Sequence, residues 1–219
     1  LEFDNSAESD CVFVEQENPE EVLQTIRRML AEKLPQRFNC DPVRNIQILS
    51  PMNKGDLGTL NLNTEIQNLL NPKLPHSREY KKGNLILRAG DKVIQCSNNY
   101  ELNIFNGDIG FVIDTAVEGG KLLVDFGGRQ VRFDSEQAMD LKLAYAITIH
   151  KSQGSEFPIV IIPASMQHFI MLERNLYYTG LTRARKMAVF IGSEKALAMA
   201  SRNKKSRHRQ TYLFDRIEP

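Results

Sequence analysis

The chain has 219 residues, a net charge of +1, and 42% hydrophobic and 25% charged content. That length and balance fit one large globular domain, or one domain carrying a small insert. They exclude a membrane-spanning apolar helix, because no run approaches the ~20 apolar residues such a span needs, and they leave any nucleic-acid binding to local placement of charge.

Residues 11–15 read as a short strand. Asn18 and Pro19 then supply an N-cap and a first-turn proline. Val22, Ile26, Met29 and Leu30 follow at helical spacing, with Glu20 and Glu21 in the acid-favouring first turn. The helix is expected to stop near Leu34 and Pro35. Residues 46–49 are the next strand, leading into a breaker-rich loop over 50–58. Leu62, Ile66, Leu69 and Leu70 mark another helix, ended by Asn71 and Pro72. Strand, helix, strand, loop, helix is the rhythm of a parallel sheet with covering helices.

The rhythm changes between 84 and 140. Short strands are predicted over 84–87, 92–96, 110–113, 121–126 and 129–133, with turns at Gly119-Gly120 and Gly127-Gly128. The second glycine pair suits a two-residue hairpin, where positive φ is wanted. Five short strands in this space are typical of a small antiparallel barrel. It is read as an insertion, because the α/β rhythm resumes: strands over 141–149, 158–163 and 187–191, a helix over 172–185, and a helix capped by Ser193 that runs through Ala200. The domain expectation is therefore 1–83 with 141–219 as one unit and 84–140 as the insert. Arg202, Lys204, Lys205, Arg207 and Arg209 form a basic tail, read as a solvated segment that can add phosphate contacts.

Two segments carry the chemistry. Residues 145–157 read YAITIHKSQGSEF, and residues 176–186 read LYYTGLTRARK. In the first, an apolar run ends in Thr148, His150, Lys151, Ser152 and Gln153, and Gly154 permits close backbone approach. Hydroxyls, amides and backbone N–H groups so clustered at a strand end can hold phosphate oxygens. The plainer reading is an exposed polar loop with a helix cap. In the second, Arg183 lies one turn from Thr179 and Gly180 on the predicted helix, where its guanidinium can leave the packed face. The plainer reading is a surface arginine beside Arg185 and Lys186 at a helix C-terminus. Residues 50–63, with Lys54, Gly55 and Gly58, form a strand–loop–helix connection. Asn98, Asn99 and Tyr100 precede Asn106-Gly107-Asp108 in the insert and read, on their own, as polar turns.

Together these segments resemble the last two motifs of superfamily 1 DNA helicases of the RecD/TraA-like branch, with the inserted pattern resembling that branch's SH3-like barrel. The resemblance covers nearly the whole chain but only the second half of a helicase motor. It implies a RecA-like parallel sheet with helices on both faces, interrupted by a small SH3-like antiparallel barrel. It places Thr148, His150, Lys151, Ser152 and Gln153 toward single-stranded DNA, with Asn98, Asn99 and Tyr100 adding hydrogen bonds and a stacking face. It assigns Gly154, Ser155 and Glu156 to the nucleotide, with Lys54 in the loop after the second strand, on nucleotide or DNA. Arg183 becomes an arginine finger on the γ-phosphate, its planar fork matched to phosphoryl charge.

No Gly-x-x-x-x-Gly-Lys-Ser/Thr run occurs, and no apolar strand ends in an acidic pair for magnesium. ATP with Mg2+ is thus expected to be held mostly by an N-terminal RecA-like domain outside this sequence, and the chain alone is expected to be inactive. The expected partners are single-stranded DNA, that N-terminal domain and other DNA-repair subunits; the expected polarity, by resemblance, is 5′ to 3′. The rival reading is a non-catalytic single-strand-binding or adaptor module, and a third is the helicase portion of a conjugative relaxase. The start lacks Met and the regions of a signal peptide, so a fragment or processed chain is expected. Cys11, Cys40 and Cys96 are scattered and odd in number, which points to a reducing, cytoplasmic setting. The four histidines make no metal pattern, and no metal site in the chain is expected.

Overall fold

The computed structural model describes residues 9–117 and 121–203. In chain order the first elements are β1 (Cys11–Glu15), α1 (Pro19–Arg28), a π-helical turn (Met29–Lys33), α2 (Leu34–Phe38), α3 (Pro42–Asn45), β2 (Ile46–Ser50) and α4 (Thr59–Leu70). The strands β3 (Glu79–Lys82), β4 (Leu85–Arg88), β5 (Lys92–Gln95), β6 (Ile109–Val117), β7 (Lys121–Phe126), β8 (Arg129–Phe133) and β9 (Leu141–Leu143) follow. The chain closes with β10 (Ala146–Thr148), β11 (Phe157–Ala164), α5 (Arg174–Leu181), β12 (Ala184–Gly192) and α6 (Glu194–Arg202). The Gly119-Gly120 turn and the basic tail from Lys204 lie outside the described residues. Among the described residues no helix is long and apolar enough to cross a membrane.

Five parallel strands form the main sheet, in the order β1-β12-β11-β2-β10. Alternation along each strand splits its side chains between two layers. Ile46, Ile48, Ile159, Ile161, Met187, Val189 and Ile191 face α1 and α4 through Val22, Ile26, Leu62 and Ile66. Leu49, Val160, Ile162 and Phe190 face α5 and α6 through Leu176, Tyr177, Ala196 and Leu197. Helices therefore cover both faces, and buried β-branched runs are what a doubly covered parallel sheet requires.

The insert is a five-stranded antiparallel sheet, β8-β7-β6-β5-β9, and the β3-β4 hairpin adds Tyr80 and Leu87 to its core. Gly127 and Gly128 make the β7-β8 turn with φ of 63° and 94°, as the sequence demanded. The expected strand near 84–87 instead pairs with Glu79–Lys82. The fifth strand of the sheet is β9.

Three predicted elements change. The first helix does not stop at Pro35. The π turn carries a Leu34 N–H bond to Met29 O, which leaves Pro35, with no N–H of its own, at the start of α2. Asn39 ends that helix in the left-handed region. The apolar run 141–149 is two strands in two sheets: β9 pairs with β5 in the insert and β10 with β2 in the main sheet. The predicted helix over 172–185 is only Arg174–Leu181. Thr182 and Arg183 form the turn after it. Arg185 and Lys186 lie on β12, so a helix-dipole role for them is ruled out.

The run splits because polar side chains fix its crossing point. Asn63 on α4 donates to Ala146 O (2.8 Å) and accepts from Ala146 N (2.9 Å), completing the open edge of β10. Gln47 Nε2 donates to Ala144 O (3.0 Å) and Tyr145 O (3.1 Å). Asp91, fully buried in the β4-β5 turn, accepts from Gln67 Nε2 (2.6 Å), Arg88 N (2.7 Å), Asn71 Nδ2 (2.7 Å) and the Tyr145 hydroxyl (2.8 Å). Burial raises the Asp91 pKa against these bonds, and it raises that of Tyr145, which the Asp91 charge pushes further the same way. One carboxylate thus joins α4, the insert and the connector into the main sheet.

Candidate functional site

Thr148 ends β10 in register with Ser50 at the end of β2. Its Oγ1 accepts from Lys151 N (3.3 Å) and caps a short 3-10 turn over Ile149–Ser152. Ser152 is fully buried, with its hydroxyl donating to Ile149 O (2.7 Å). That corrects its expected DNA-facing role: the hydroxyl is consumed in holding the turn. His150, Lys151 and Gln153 are exposed. Gly154 adopts φ of 85°, and a Cβ there would meet nothing within 4 Å, so open space lies over the backbone. A side chain would nonetheless be strained by the positive φ.

The two motifs meet at the opposite edge of the sheet, where β11 and β12 begin. Phe157 N–H donates to Arg183 O at 2.9 Å. The half-buried Arg183 guanidinium donates from Nη1 to Ser155 O (3.3 Å), from Nε to Thr179 O (3.2 Å) and from Nη2 to Thr182 Oγ1 (3.2 Å). Arg185 Nε pairs with Glu156 Oε2 at 2.8 Å, both side chains exposed. Gly180 makes the approach possible: a Cβ there would lie 3.1 Å from Ile162 Cδ1 and 3.5 Å from Ile149 Cδ1. So α5 seats directly on the first motif, and the turn after it delivers Arg183 beside Ser155. Among the described residues no cluster of His, Cys, Asp or Glu converges as metal ligands.

Lys54 is not in this cluster. It is exposed in the loop after β2, beyond the C-terminal end of that strand, whereas Arg183 precedes β12. The strands run parallel, so the two lie at opposite ends of a sheet roughly 20 Å long. The strand direction separates what the sequence left together. Lys54 belongs instead to the edge that carries Ser50 and Thr148.

The insert approaches the first motif through Lys151, whose Nζ donates to Cys96 Sγ at 3.3 Å. Cys96 opens the loop that holds Asn98, Asn99 and Tyr100. Asn99 Oδ1 accepts from Leu102 N (2.9 Å) and Asn98 Oδ1 from Asn106 N (3.0 Å), so both carbonyls shape the loop, and the Asn98 amide donates to the Tyr100 hydroxyl (3.5 Å). Arg129 braces the same loop by donating to Leu102 O (3.1 Å) and Asn103 O (2.6 Å). Tyr100 is 78% exposed and stands edge-to-face with Phe105, 6.1 Å between centroids. The sequence reading missed Phe105, Arg129 and Asp91. Phe105 had a signal, an aromatic just before Asn106-Gly107; the other two had none without the pairing of strands.

A family model described as the ATP-dependent RecD-like DNA helicase SH3 domain matches residues 62–126, and one described as the UvrD-like helicase C-terminal domain matches 143–191. The ATP-dependent RecD2 DNA helicase of Deinococcus radiodurans is 41% identical over 172 residues, 78% of this chain and 23% of its own length. The chain belongs to the RecD-like superfamily 1 helicases. The RecD subunit of the RecBCD enzyme of Haemophilus influenzae is 32% identical over 175 residues, 78% of this chain and 24% of that subunit. This RecD-like chain therefore spans about a quarter of the length of these relatives. In fold it is similar to a Pif1 helicase from Bacteroides, solved in complex with ADP-AlF3 and ssDNA. The TM-score is 0.54 at 19% identity, over 90% of this chain and 52% of that one. The described RecD-like fold is the α/β class with an inserted SH3-like unit that the sequence implied.

Proposed function

We propose that this chain is the C-terminal motor portion of an ATP-dependent 5′–3′ DNA helicase. In this reading residues 1–83 and 141–219 are its second RecA-like domain and 84–140 its inserted barrel, with the boundary strands β3 and β9 packing with the barrel rather than with the main sheet. The observation that carries the reading is the meeting of the two motifs, with the Arg183 guanidinium 3.3 Å from Ser155 O and Glu156 held beside it by Arg185. A permanently charged planar donor, a glycine with open space above its backbone and a carboxylate occupy one strand edge. That donor set fits one side of a nucleotide. Gly154 admits the nucleotide, Glu156 accepts from its sugar, and Arg183 donates to the terminal phosphate. Bound ATP with Mg2+ supplies the phosphoryl group and its counter-charge. The metal ligands and the phosphate-cradling loop belong, in this reading, to an N-terminal RecA-like domain.

Single-stranded DNA lies along the other group. Thr148, His150, Lys151 and Gln153 offer polar contacts, Asn98 and Asn99 their side-chain amides, and Tyr100 an exposed ring for a base. Lys54 extends the same edge as a phosphate contact. The relatives' names, an ATP-dependent DNA helicase and a subunit of a larger enzyme, support this substrate and further DNA-repair subunits as partners of the whole protein. The setting is cytoplasmic.

The test compares the 219-residue chain with the natural protein that contains it. The chain alone is expected to bind single-stranded DNA weakly and give no DNA-stimulated ATP turnover, while the longer protein turns ATP over. Turnover that copurifies with the short chain and disappears on Arg183→Ala would sink the division of labour. A longer protein without ATP turnover would favour the adaptor alternative.

A further inference from the structure

Lys92, the first residue of β5 in the insert, is 2% exposed. Its Nζ donates to Ile46 O at 3.3 Å and lies 5.5 Å from the centroid of the Phe157 ring. Its own carbonyl accepts from Ala144 N at 2.8 Å. Ile46 opens β2 and Phe157 opens β11. A side chain of the insert thus crosses the junction and ends at the edge of the main sheet that carries Arg183 and Glu156. Burying an amine here costs desolvation that an apolar side chain of the same length would avoid. Packing alone does not call for a lysine.

What the amine touches gives it a use. Phe157 follows Glu156 directly, and its N–H donates to Arg183 O at 2.9 Å. At the other end, β5 is only four residues long and runs straight into the loop that carries Tyr100. Loop, β5, Lys92, Phe157 and Arg183 form a continuous series of covalent and packed contacts. We infer that Lys92 is a positioning residue: its amine, held between Ile46 O and the Phe157 ring, fixes the Glu156–Arg183 edge relative to the barrel, so that strand binding in the barrel is felt at the nucleotide side. The assignment of Glu156 and Arg183 to nucleotide rests on the function proposed above; the seating of Phe157 does not.

Two measurements on Lys92→Met, which keeps an unbranched apolar stem and removes the amine, test this separately. In the 219-residue chain, exchange of the Phe157 amide is expected to accelerate about tenfold, while that of the Ile48 amide, bonded to Tyr145 O, stays within about twofold. An unchanged Phe157 amide, or acceleration of both together, overturns the positioning role. In the longer natural protein, unstimulated ATP turnover and DNA affinity are expected to stay within about twofold while stimulation by single-stranded DNA falls about tenfold. Unchanged stimulation overturns the coupling. Phe157→Leu, which keeps apolar volume without the ring, should reproduce the loss of stimulation, and it decides the matter if Lys92→Met does not fold. A wild-type protein with no DNA-stimulated turnover would defeat the helicase reading and the coupling with it, while the exchange result would still stand on its own.

Discussion

Replacing Arg183 with alanine separates a residue that acts on phosphate from one that holds the fold. In the resting structure its guanidinium makes three hydrogen bonds, at 3.2, 3.3 and 3.2 Å, all at or beyond the long end of the usual range. The side chain is half-buried, so water can take over part of what is lost. Each such bond contributes about 0.5–1.5 kcal/mol at best, and long, half-exposed ones less, so the stability loss should total about 1 kcal/mol. For a domain of this size that is a shift of roughly 2–4 °C in Tm. An arginine finger is worth about 10³–10⁵ in turnover, at least ~4 kcal/mol. Steady-state ATP turnover of the natural protein, with and without single-stranded DNA, is therefore expected to fall about a thousandfold or more in Arg183→Ala, at nearly unchanged Tm and DNA affinity. The weak resting bonds favour this role, since little has to be given up when the guanidinium moves to a phosphate. Arg183→Lys should rescue poorly, because an ammonium lacks the planar fork. Arg185→Ala removes only an exposed ion pair worth about 0–1 kcal/mol and should lower turnover mildly, through Glu156. Near-normal turnover in Arg183→Ala, with abolished turnover in Arg185→Ala, would refute the assignment at its centre.

Four further outcomes are expected. Tyr100→Ala in the natural protein should weaken single-strand binding by about 1–3 kcal/mol at fixed salt, the range for one stacked base, and Lys151→Ala should reduce the salt slope of binding by about one contact; an unchanged Kd in a folded Tyr100→Ala protein removes the ring from the site. Asp91→Ala removes the acceptor that four donors share, although Gln67 Nε2 keeps Ile86 O and Asn71 Nδ2 keeps Ala89 O, and with the relief of no longer burying a charge it should cost about 2–4 kcal/mol in urea unfolding; a loss below about 1 kcal/mol would show that the junction does not depend on it. Burial pushes the Lys92 amine down to about 7, with the Asp41 charge opposing, while the unfolded chain keeps it in the ordinary lysine range. Between those limits the unfolded state binds more protons, so stability should rise with pH above about 7 by up to ~1.4 kcal/mol per unit and be lost as pH falls back through it. Urea titrations at several pH values should show this rise in the wild type and lose it in Lys92→Met; an equal rise in both would place the titrating group elsewhere.

Local chemistry set much of this in the sequence. The Asn18-Pro19 start of α1, the Gly127-Gly128 hairpin and the Ser193 cap of α6 need only neighbouring residues, and each formed where expected. The apolar runs of β2, β11 and β12 are buried on both faces, so their composition alone marked them as strands of a covered parallel sheet. The two motifs were legible for the same reason: each is one continuous segment.

Tertiary structure decided whatever depends on which strand lies beside which. The run 141–149 has a single apolar character throughout, yet it crosses from the insert to the main sheet. The crossing is fixed by Asn63, Gln47 and Asp91, which are 83, 97 and 54 residues from their partners on the run. Lys54 and Arg183 are both basic residues in loops beside strands, and only the parallel direction of β2 and β12 sends them to opposite edges. Ser152 reads as one more polar residue of an exposed cluster until the turn buries its hydroxyl on Ile149 O. Periodicity reports how a segment meets its own neighbours in sequence. The direction of a strand, and the distant side chain that completes its edge, are set by pairings that only the closed fold makes.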